Sequence, residues 1–186
     1  MTSQKHNTAR MLKMAPKVGA RAAVLAVLLF GADLLASSLS LHYAAFKSKN
    51  IQGLQFRRVQ IKLIRLNGHV FKNSDFSGSI FEHLSATDAL FENCDFSGAS
   101  FRYSVIARSQ FINCKFENAA LLGSQIDDST LKRSSFNGAS FDRSQLFGVR
   151  IENTSMEGAE FTNSWYDARS VWPPGWQAPP GLELVD

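Results

Sequence analysis

Large apolar residues recur at every fifth position of this chain. The row runs from Ile51 to Val171 through 25 positions without an insertion, and only Ala86 on it is small. An α-helix repeats every 3.6 residues and a β-strand every two, so neither produces a period of five. A chain that turns a corner every five residues does produce it, and the pattern therefore predicts short extended segments joined by regular bends.

Two further rows follow the same period. From Ser74 to Ser164, the residue two places before each large apolar position is small or slender except at Leu84. Leu84 lies two residues before Ala86, so this exchange of sizes conserves interior volume. Two residues after each large apolar position, Gly and Asn dominate, as expected where the backbone needs a positive φ. Four such bends close a square coil, and about six coils stack with a spacing of ~4.8 Å.

Several stretches of the chain resemble a known repeat family. The runs CDFSGASFRYS (94–104), CKFENAALLGS (114–124) and SSFNGASFDRS (134–144) are similar to the repeats of pentapeptide-repeat proteins, and the resemblance covers about residues 51–171. It implies an all-β solenoid, a right-handed quadrilateral β-helix with Phe and Leu at the interior centre. The handedness rests on the resemblance alone. The segment from Tyr166 to Trp176 also resembles the end segment that closes many members of this family.

The beginning of the repeat region departs from the pattern. Leu54, Val59, Ile64 and His69 place bulky side chains on the small row. We therefore expect residues 47–68 to form a linker and an irregular first coil, capped by an N-terminal α-helix, because an uncovered end would expose backbone groups and an apolar face. The regular β-helix is expected over 69–171, with a C-terminal cap or tail at 172–186.

The N-terminal segment has the features of a membrane or targeting sequence. Residues 1–21 form a basic arm without acidic residues, and residues 22–46 are hydrophobic with Asp33 as the sole charge. This stretch is long enough for a signal-anchor helix, which needs about 20 apolar residues, although a central acid costs roughly 2.5–3.5 kcal/mol. A cleaved signal peptide, an organelle transit peptide and a soluble amphipathic helix are the alternatives.

The location of the protein depends on which of these interpretations holds. A signal-anchor makes it a single-pass membrane protein, and the positive-inside rule then keeps residues 1–21 in the cytoplasm. The repeat domain would lie on the opposite side, in a periplasm or lumen. Cleavage of the N-terminal segment would instead give an exported or organelle-imported protein.

The net charge of +4 does not extend over the repeats. Residues 51–171 hold 13 basic and 13 acidic residues. A neutral rod has no broad field that steers nucleic acid, so a nucleic-acid partner is not expected. Neutrality also argues against the best-known activity that the resemblance implies, DNA mimicry with binding to topoisomerases such as gyrase, because duplex DNA carries one charge per ~1.7 Å. We keep that activity as an alternative function.

The sequence offers no motif for catalysis, cofactor binding or metal binding. The four His residues lack metal-ligand spacing, and the abundant Ser residues belong to the small interior row. Cys94 and Cys114 are 20 residues apart and are predicted to be packed thiols on adjacent coils, with a disulfide as the alternative. Because an interior filled with Phe leaves no cleft for a substrate, we predict a protein that is not an enzyme.

Polar residues at a spacing of 20 are predicted to form ladders along the outer surface. Two columns carry charges and one carries amides: Asp88, Arg108 and Asp128; Asp75, Asp95 and Lys115; Asn73, Asn93 and Asn113.

Apolar residues at outward positions are candidate contacts for a protein partner. The Trp residues crowd the C-terminal end, where a lid over the last coil is our main interpretation and an end-to-end homodimer the second. The sequence therefore predicts a membrane-tethered interaction or scaffold module. A structural subunit of a larger membrane complex is a further alternative, because an intramembrane acid such as Asp33 usually finds a protein partner. The candidate contacts are Val70, Leu90 and Ile112 on one wall, Tyr103, Val105, Leu122 and Phe147 elsewhere, and Trp165, Trp172 and Trp176 at the end.

Overall fold

A computed structural model describes residues 48–186, which consist of short strands and bends. The predicted helix at 22–46 and the basic arm at 1–21 lie outside the described residues. Fifteen strands follow one another: β1 (Asn50–Gln52), β2 (Gln60–Lys62), β3 (Val70–Lys72), β4 (Ile80–Glu82), β5 (Ser85–Thr87), β6 (Leu90–Glu92), β7 (Ser100–Arg102), β8 (Val105–Ala107), β9 (Gln110–Ile112), β10 (Gln125–Asp127), β11 (Thr130–Lys132), β12 (Gln145–Leu146), β13 (Arg150–Glu152), β14 (Ser164–Asp167) and β15 (Leu182–Val185).

The strands stack into four walls, numbered in the order in which the chain visits them. The first wall has the order β1-β3-β6-β9-β11-β13, the third β2-β4-β7, and the fourth β15-β14-β12-β10-β8-β5. The second wall consists of isolated parallel bridges such as Asp75↔Asp95 and Asp95↔Lys115. Pairing between coils joins residues 20 apart, for example Phe71↔Phe91. The predicted all-β solenoid is confirmed.

The apolar row fills the interior with stacked rings. On the first wall, the rings of Phe91 and Phe111 lie 4.8 Å apart with an interplanar angle of 4°. On the second wall, the Phe96 ring lies 5.0 Å from Phe76 and 4.8 Å from Phe116. Rings of adjacent walls meet edge to face, as Phe71 and Phe76 do at 5.5 Å. These offset and edge-on arrangements are the favourable ones for aromatic pairs.

The small row holds the bends together through side-chain hydrogen bonds. The Ser109 hydroxyl donates to the carbonyls of Ala86 at 2.7 Å and Ala107 at 3.1 Å, and it accepts from the Ala89 N–H at 3.0 Å. Ser129 repeats the arrangement one coil later and accepts from the Ser109 N–H at 3.0 Å. A small polar residue here satisfies buried backbone groups that the bend would otherwise leave unpaired.

The exchange of sizes at Leu84 and Ala86 fits the interior closely. Both residues are buried, and they line an interior void of about 10 Å³ together with Phe81, Phe91 and other row members. That volume is at the lower limit for one water molecule. Leu84 therefore fills most of the space that Ala86 leaves, as the sequence predicts.

The expected irregular first coil over 47–68 is wrong. β1 pairs in register with β3, and β2 with β4, at the same spacing of 20 residues. The bulky Leu54 and Ile64 are buried, and the backbone N–H of Leu54 donates to the Ser74 hydroxyl of the next coil. The register is set by backbone pairing and by the bends, so a large residue on the small row does not disturb it.

The apolar row ends before Val171, which is the second departure from prediction. Met156 and Tyr166 are half-buried and Val171 is exposed, although Val171 still bridges to Arg150. The tail returns to the solenoid instead, because β15 adds to β14 as the last strand of the fourth wall. Gly181 permits this approach: its φ is +87°, and a Cβ there would collide with the carbonyl oxygen of Phe161.

Candidate interaction surfaces

The bends place one residue per wall at a corner with positive φ. Gly and Asn occupy many of these sites, as predicted, but the described corners also hold larger residues with φ near +50°. One corner column, between the third and fourth walls, carries Leu63, His83 and Tyr103 at φ of 54°, 56° and 53°. A positive φ is unfavourable for such side chains, so this column stores backbone strain.

This corner column also carries Leu63, the most exposed large apolar side chain among the described residues. Leu63 is 77% exposed and Tyr103 53%, and Val105, which follows Tyr103 onto the fourth wall, is 39% exposed. The rings of His83 and Tyr103 stack at 5.7 Å, and the Tyr103 ring covers Gly123, where a Cβ would come within 2.9 Å of it. We call Leu63, His83, Tyr103 and Val105 the corner patch.

Half of the corner patch, Tyr103 and Val105, belongs to the contacts predicted from sequence. Leu63 is equally apolar at an outward position but is not among those contacts, and His83 is polar and gives no hydropathy signal. The row of Gly and Asn, two residues after each large apolar position, does carry a signal for three members of the patch. Leu63, His83 and Tyr103 stand where Gly and Asn are expected, and each departure costs backbone strain. Strained corners without an interior role are candidate binding residues.

The predicted wall contacts lie on the first wall, partly buried by their neighbours. Val70 and Leu90 are paired directly in adjacent strands. Ile112 lies in the other outward column, between the ion pairs Lys72–Glu92 (2.6 Å) and Lys132–Glu152 (2.9 Å). All three side chains are half-buried. The sequence placed them on one wall correctly, and their role as contacts stays a prediction.

Leu122 and Phe147 lie apart from each other and are also half-buried. Leu122 follows Leu121 on the third wall, next to Gly123 under the Tyr103 ring. Phe147 directly follows β12 on the fourth wall, and its carbonyl accepts a hydrogen bond from the Asp128 N–H at 2.8 Å. The structure therefore brings Leu122, but not Phe147, to the edge of the corner patch.

Two of the three Trp residues close the C-terminal end. Trp172 and Trp176 stack at 3.9 Å, and both meet the buried Phe161 ring edge-on at 6.3 and 6.2 Å. Trp165 lies on the fourth wall between Gln145 and Glu183. The first two rings form the lid that the sequence predicts, and all three Trp side chains are half-buried. An end-to-end homodimer stays a prediction.

A groove lies beside this lid. It has a volume of about 370 Å³ and is lined by Thr154, Met156 and Glu157 of the last coil and by the tail residues 173–176. Its lining is part polar and part apolar, and Glu157 is its one ionisable lining residue.

The polar ladders form along the corners, with partners that differ in part from those expected. The amide ladder is present: Asn93 donates to Asn73, and Asn113 to Asn93, each at 3.1 Å. Arg108 binds Asp88 through two hydrogen bonds of 2.9 and 3.1 Å.

Two charged members of these ladders choose other partners. Asp128 pairs with Arg169 of the tail at 2.9 Å rather than with Arg108. Asp75 pairs with Arg57 of the first coil at 2.5 Å, across two columns of the second wall, rather than with a member of its own column. Long Arg side chains reach diagonally, which column position alone does not reveal.

Among the carboxyl groups that the structure describes, Asp127 is the one whose pKa the fold clearly raises. Burial against the fourth wall raises the pKa of this side chain, and the nearby Asp128 and Asp167 carboxylates add to the effect while Arg169 opposes it. Its Oδ1 atom is buried without a hydrogen-bond partner among the described residues. Asp127 therefore costs stability when it is ionised.

Cys94 and Cys114 are buried, unbonded thiols on adjacent coils. The Cys114 Sγ lies 3.4 Å from the Phe91 carbonyl oxygen, and burial raises the pKa of this thiol. A raised pKa suppresses the reactive thiolate, so Cys114 acts as a small interior side chain. The structure thus agrees with the main interpretation from sequence, in which Cys94 and Cys114 are packed thiols without a disulfide.

Within residues 48–186, no group of His, Cys, Asp and Glu side chains is arranged to hold a metal ion. The same residues contain no helix of the length and apolarity that a membrane span requires.

Two family models match the chain. A model described as a pentapeptide repeat region matches residues 84–161, and a model of the SV2A/B/C luminal domain matches residues 44–121. No curated protein matches the chain.

Solved structures with a similar fold have low sequence identity. QnrB1, a plasmid-mediated fluoroquinolone resistance protein, is 17% identical over 74% of this chain and 92% of its own, with a TM-score of 0.42. A pentapeptide repeat protein from the Arabidopsis thaliana thylakoid lumen is 21% identical over 51% of this chain and 67% of its own (TM-score 0.48). HetL from Nostoc sp. strain PCC 7120, a pentapeptide repeat protein involved in heterocyst differentiation regulation, is 16% identical over 69% of this chain and 66% of its own (TM-score 0.40).

Proposed function

Because residues 84–161 form a pentapeptide-repeat region, we propose that this member of the pentapeptide-repeat family is a non-enzymatic protein-binding scaffold, tethered to a membrane by residues 22–46. The scaffold is the solenoid, the corner patch is its docking surface, and the N-terminal segment is its tether.

The single observation that carries the proposal is the corner patch. Leu63 and Tyr103 occupy strained, exposed positions, whereas Asn or Gly at the same sites would be unstrained and more soluble. Backbone strain and exposed apolar area both reduce the stability or solubility of a free monomer. A binding partner that covers the rings would account for both costs at once, because aromatic anchors dominate protein interfaces.

The packed interior supports a binding role over a catalytic one. Phe rings and hydroxyl ladders fill the coils, and the void beside Ala86 is about 10 Å³, far below the roughly 300–1,000 Å³ of ligand pockets. The surface groove of about 370 Å³ beside the lid reaches that size, but Glu157 is the one ionisable side chain that lines it. What the solenoid presents to other molecules is its outer surface.

Site-specific photo-crosslinking tests the docking surface. A photoreactive phenylalanine analogue at position 103 should capture a partner in the native host, whereas the same analogue at Asn153, an exposed corner on another edge, should not. Leu63→Asn should weaken the capture from position 103, because it removes a neighbouring apolar contact without disturbing the positive φ. Equal capture from positions 103 and 153 would contradict the proposal.

Membrane extraction tests the tether. The full chain should stay in the membrane fraction after washes with high salt and at high pH, and deletion of residues 1–46 should release the solenoid. Release of the full chain by salt alone would contradict an anchor.

We further propose that the solenoid lies on the far side of the membrane, in a periplasm or lumen. The match of residues 44–121 to a luminal domain supports this orientation. By the positive-inside rule, the five basic residues of the arm at 1–21 favour a cytoplasmic N-terminus, although basic residues also follow the hydrophobic segment. We expect the solenoid to be protected from protease added to the cytoplasmic face. Digestion of the solenoid by that protease would show the opposite orientation.

A further inference from the structure

The first coil of the solenoid carries positive charge only. Residues 48–68 contain five basic and no acidic residues, and all five basic side chains are exposed. Residues 151–186 at the other end contain one basic and six acidic residues. The solenoid therefore has a positive and a negative end. The basic residues of the first coil are Lys49, Arg57, Arg58, Lys62 and Arg65.

These five side chains surround the coil rather than following one wall. Lys49 precedes the first wall, Arg57 belongs to the second, Lys62 to the third and Arg65 to the fourth, while Arg58 lies at a corner. We call them the basic ring. Charges arranged in a ring around the end of a rod suit a flat surface that lies across the rod axis. A nucleic-acid duplex that lies along the rod would instead need charges along one wall.

The walls beyond the ring do not supply such a charged track. Residues 69–150 hold eight basic and nine acidic residues, many of them paired between coils. Even within the ring, Arg57 and Lys62 bind Asp75 and Glu82 of the second coil at 2.5 and 2.8 Å. Lys49, Arg58 and Arg65 have no ion pair among the described residues and keep their charge for an external partner.

The chain connects the basic ring closely to the proposed tether. Phe46 ends the hydrophobic segment and β1 begins at Asn50, so four residue steps span at most about 14 Å. Electrostatic attraction decays over ~8 Å at physiological ionic strength. A ring held this near a bilayer would feel the charge of its surface.

We propose that the basic ring binds the headgroups of anionic phospholipids, so that the solenoid stands with its first coil against the bilayer. The inference rests on the proposed membrane tether. In this arrangement the basic ring orients the solenoid relative to the bilayer. The corner patch and the walls stay accessible to a protein partner.

Vesicle partitioning of the full chain tests this inference. The vesicles contain either phosphatidylcholine alone or phosphatidylcholine with 30 mol% phosphatidylglycerol, over a series of salt concentrations. The test variant carries Lys49→Gln, Arg58→Gln and Arg65→Gln. The matched control carries Lys115→Gln, Arg133→Gln and Arg150→Gln, three exposed cations of later coils with the same total charge change. Thermal melts establish that both variants are folded.

The expected result is additional binding to the anionic vesicles that weakens as salt rises. Each basic side chain near such a surface contributes roughly fivefold, so the test variant should lose on the order of 100-fold of this additional binding. The control should lose little. Equal partitioning of the wild type into both vesicles, or equal losses in the two variants, would overturn the inference.

Two further readouts separate this inference from its premise and from the competing ligand. Binding to pure phosphatidylcholine vesicles that survives alkaline washing shows that the tether inserts into the bilayer. If the chain binds anionic vesicles but not pure phosphatidylcholine, the tether is refuted and binding by the basic ring is not. A 20-base-pair DNA duplex serves as competitor. If it displaces the chain from anionic vesicles at equal charge concentration, the ring is a general anion site and the lipid assignment fails.

Discussion

The interior of the solenoid and its corners follow opposite rules. An interior position tolerates different residues if the volume of the coil is kept, as the exchange between Leu84 and Ala86 shows. A corner position projects its side chain outward, and its positive φ favours Gly and Asn. Interior departures are therefore compensated nearby, whereas Leu63 is 77% exposed at its corner and Tyr103 is covered only in part, by His83 and Gly123. The interior accounts for stability, and the corners are where we propose that binding takes place.

The largest effect is expected from a charge placed inside the stack. Phe111 is buried and stacks on Phe91 at 4.8 Å, so Phe111→Asp would bury a carboxylate without a partner and should prevent folding. The adjacent Gln110 is exposed, and Gln110→Asp should leave the circular dichroism spectrum and melting temperature nearly unchanged. A folded Phe111→Asp protein would break the comparison between inside and outside.

Compensation of volume is tested by a double-mutant cycle at Leu84 and Ala86. Leu84→Ala should cost about 2–5 kcal/mol of unfolding free energy through a cavity, and Ala86→Leu about 1–3 kcal/mol through overpacking. Together they restore the regular repeat, so the double variant should be more stable than the sum of the two losses predicts. Additive losses in denaturant unfolding would show that the two sites do not share one space.

The hydroxyl ladder should matter less than the rings. Ser109→Ala removes the acceptor of the Ala89 N–H and should cost roughly 1–3 kcal/mol in denaturant unfolding. Ser109→Cys provides the control, because Cys94 and Cys114 already fill equivalent sites. A much smaller loss for Cys than for Ala would attribute the effect to lost volume rather than to the hydrogen bond, because a thiol is a weak hydrogen-bond partner.

At the corners the sign of the effect should reverse. Leu63→Asn replaces a strained, exposed side chain with one suited to φ of +54°, and it should raise the unfolding free energy by up to about 1 kcal/mol. The same substitution at the buried Leu66 should destabilise the protein strongly. Destabilisation by Leu63→Asn would mean that Leu63 has a packing role and would weaken its assignment to a docking surface.

The smallest effect concerns the pH dependence of stability at Asp127. Because its pKa is raised on folding, the folded state binds more protons than the unfolded state between the two pKa values, and stability falls as pH rises through that range. Asp127→Asn should therefore be slightly more stable than the wild type at pH 7 and equal to it near pH 3. Asp128→Asn breaks the pair with Arg169 and should show no gain at pH 7. A loss of stability in Asp127→Asn at neutral pH would contradict the raised pKa.

The sequence predicted the solenoid well because its three rows report three independent constraints. The Phe row reports the interior, the Ser and Ala row the tight inward bend, and the Gly and Asn row the positive φ at the corners. The same reasoning was wrong about the first coil, because it treated Leu54 and Ile64 as obstacles although backbone pairing decides the register.

The candidate surface was harder to predict than the fold. Apolar residues at outward positions led to Val70, Leu90 and Ile112, which neighbouring strands half-bury, whereas the equally apolar and fully outward Leu63 was not among the predicted contacts. An outward side chain on a wall contacts the side chains at the same position of the coils above and below it. Its exposed fraction therefore depends on those neighbours and is seen only in the coordinates. Tail contacts such as Arg169 with Asp128 were equally hidden, because they do not follow the repeat.

The pairing of each residue with the one 20 positions later restricts how the length of this protein can change. Loss or gain of one five-residue unit would rotate everything downstream by a quarter turn, moving every later side chain onto a different wall. Gain of a full coil would lengthen the rod by ~4.8 Å and preserve the direction in which each wall faces. A lineage that depends on one face for its partner is therefore expected to vary in whole coils, or in units placed beyond that face.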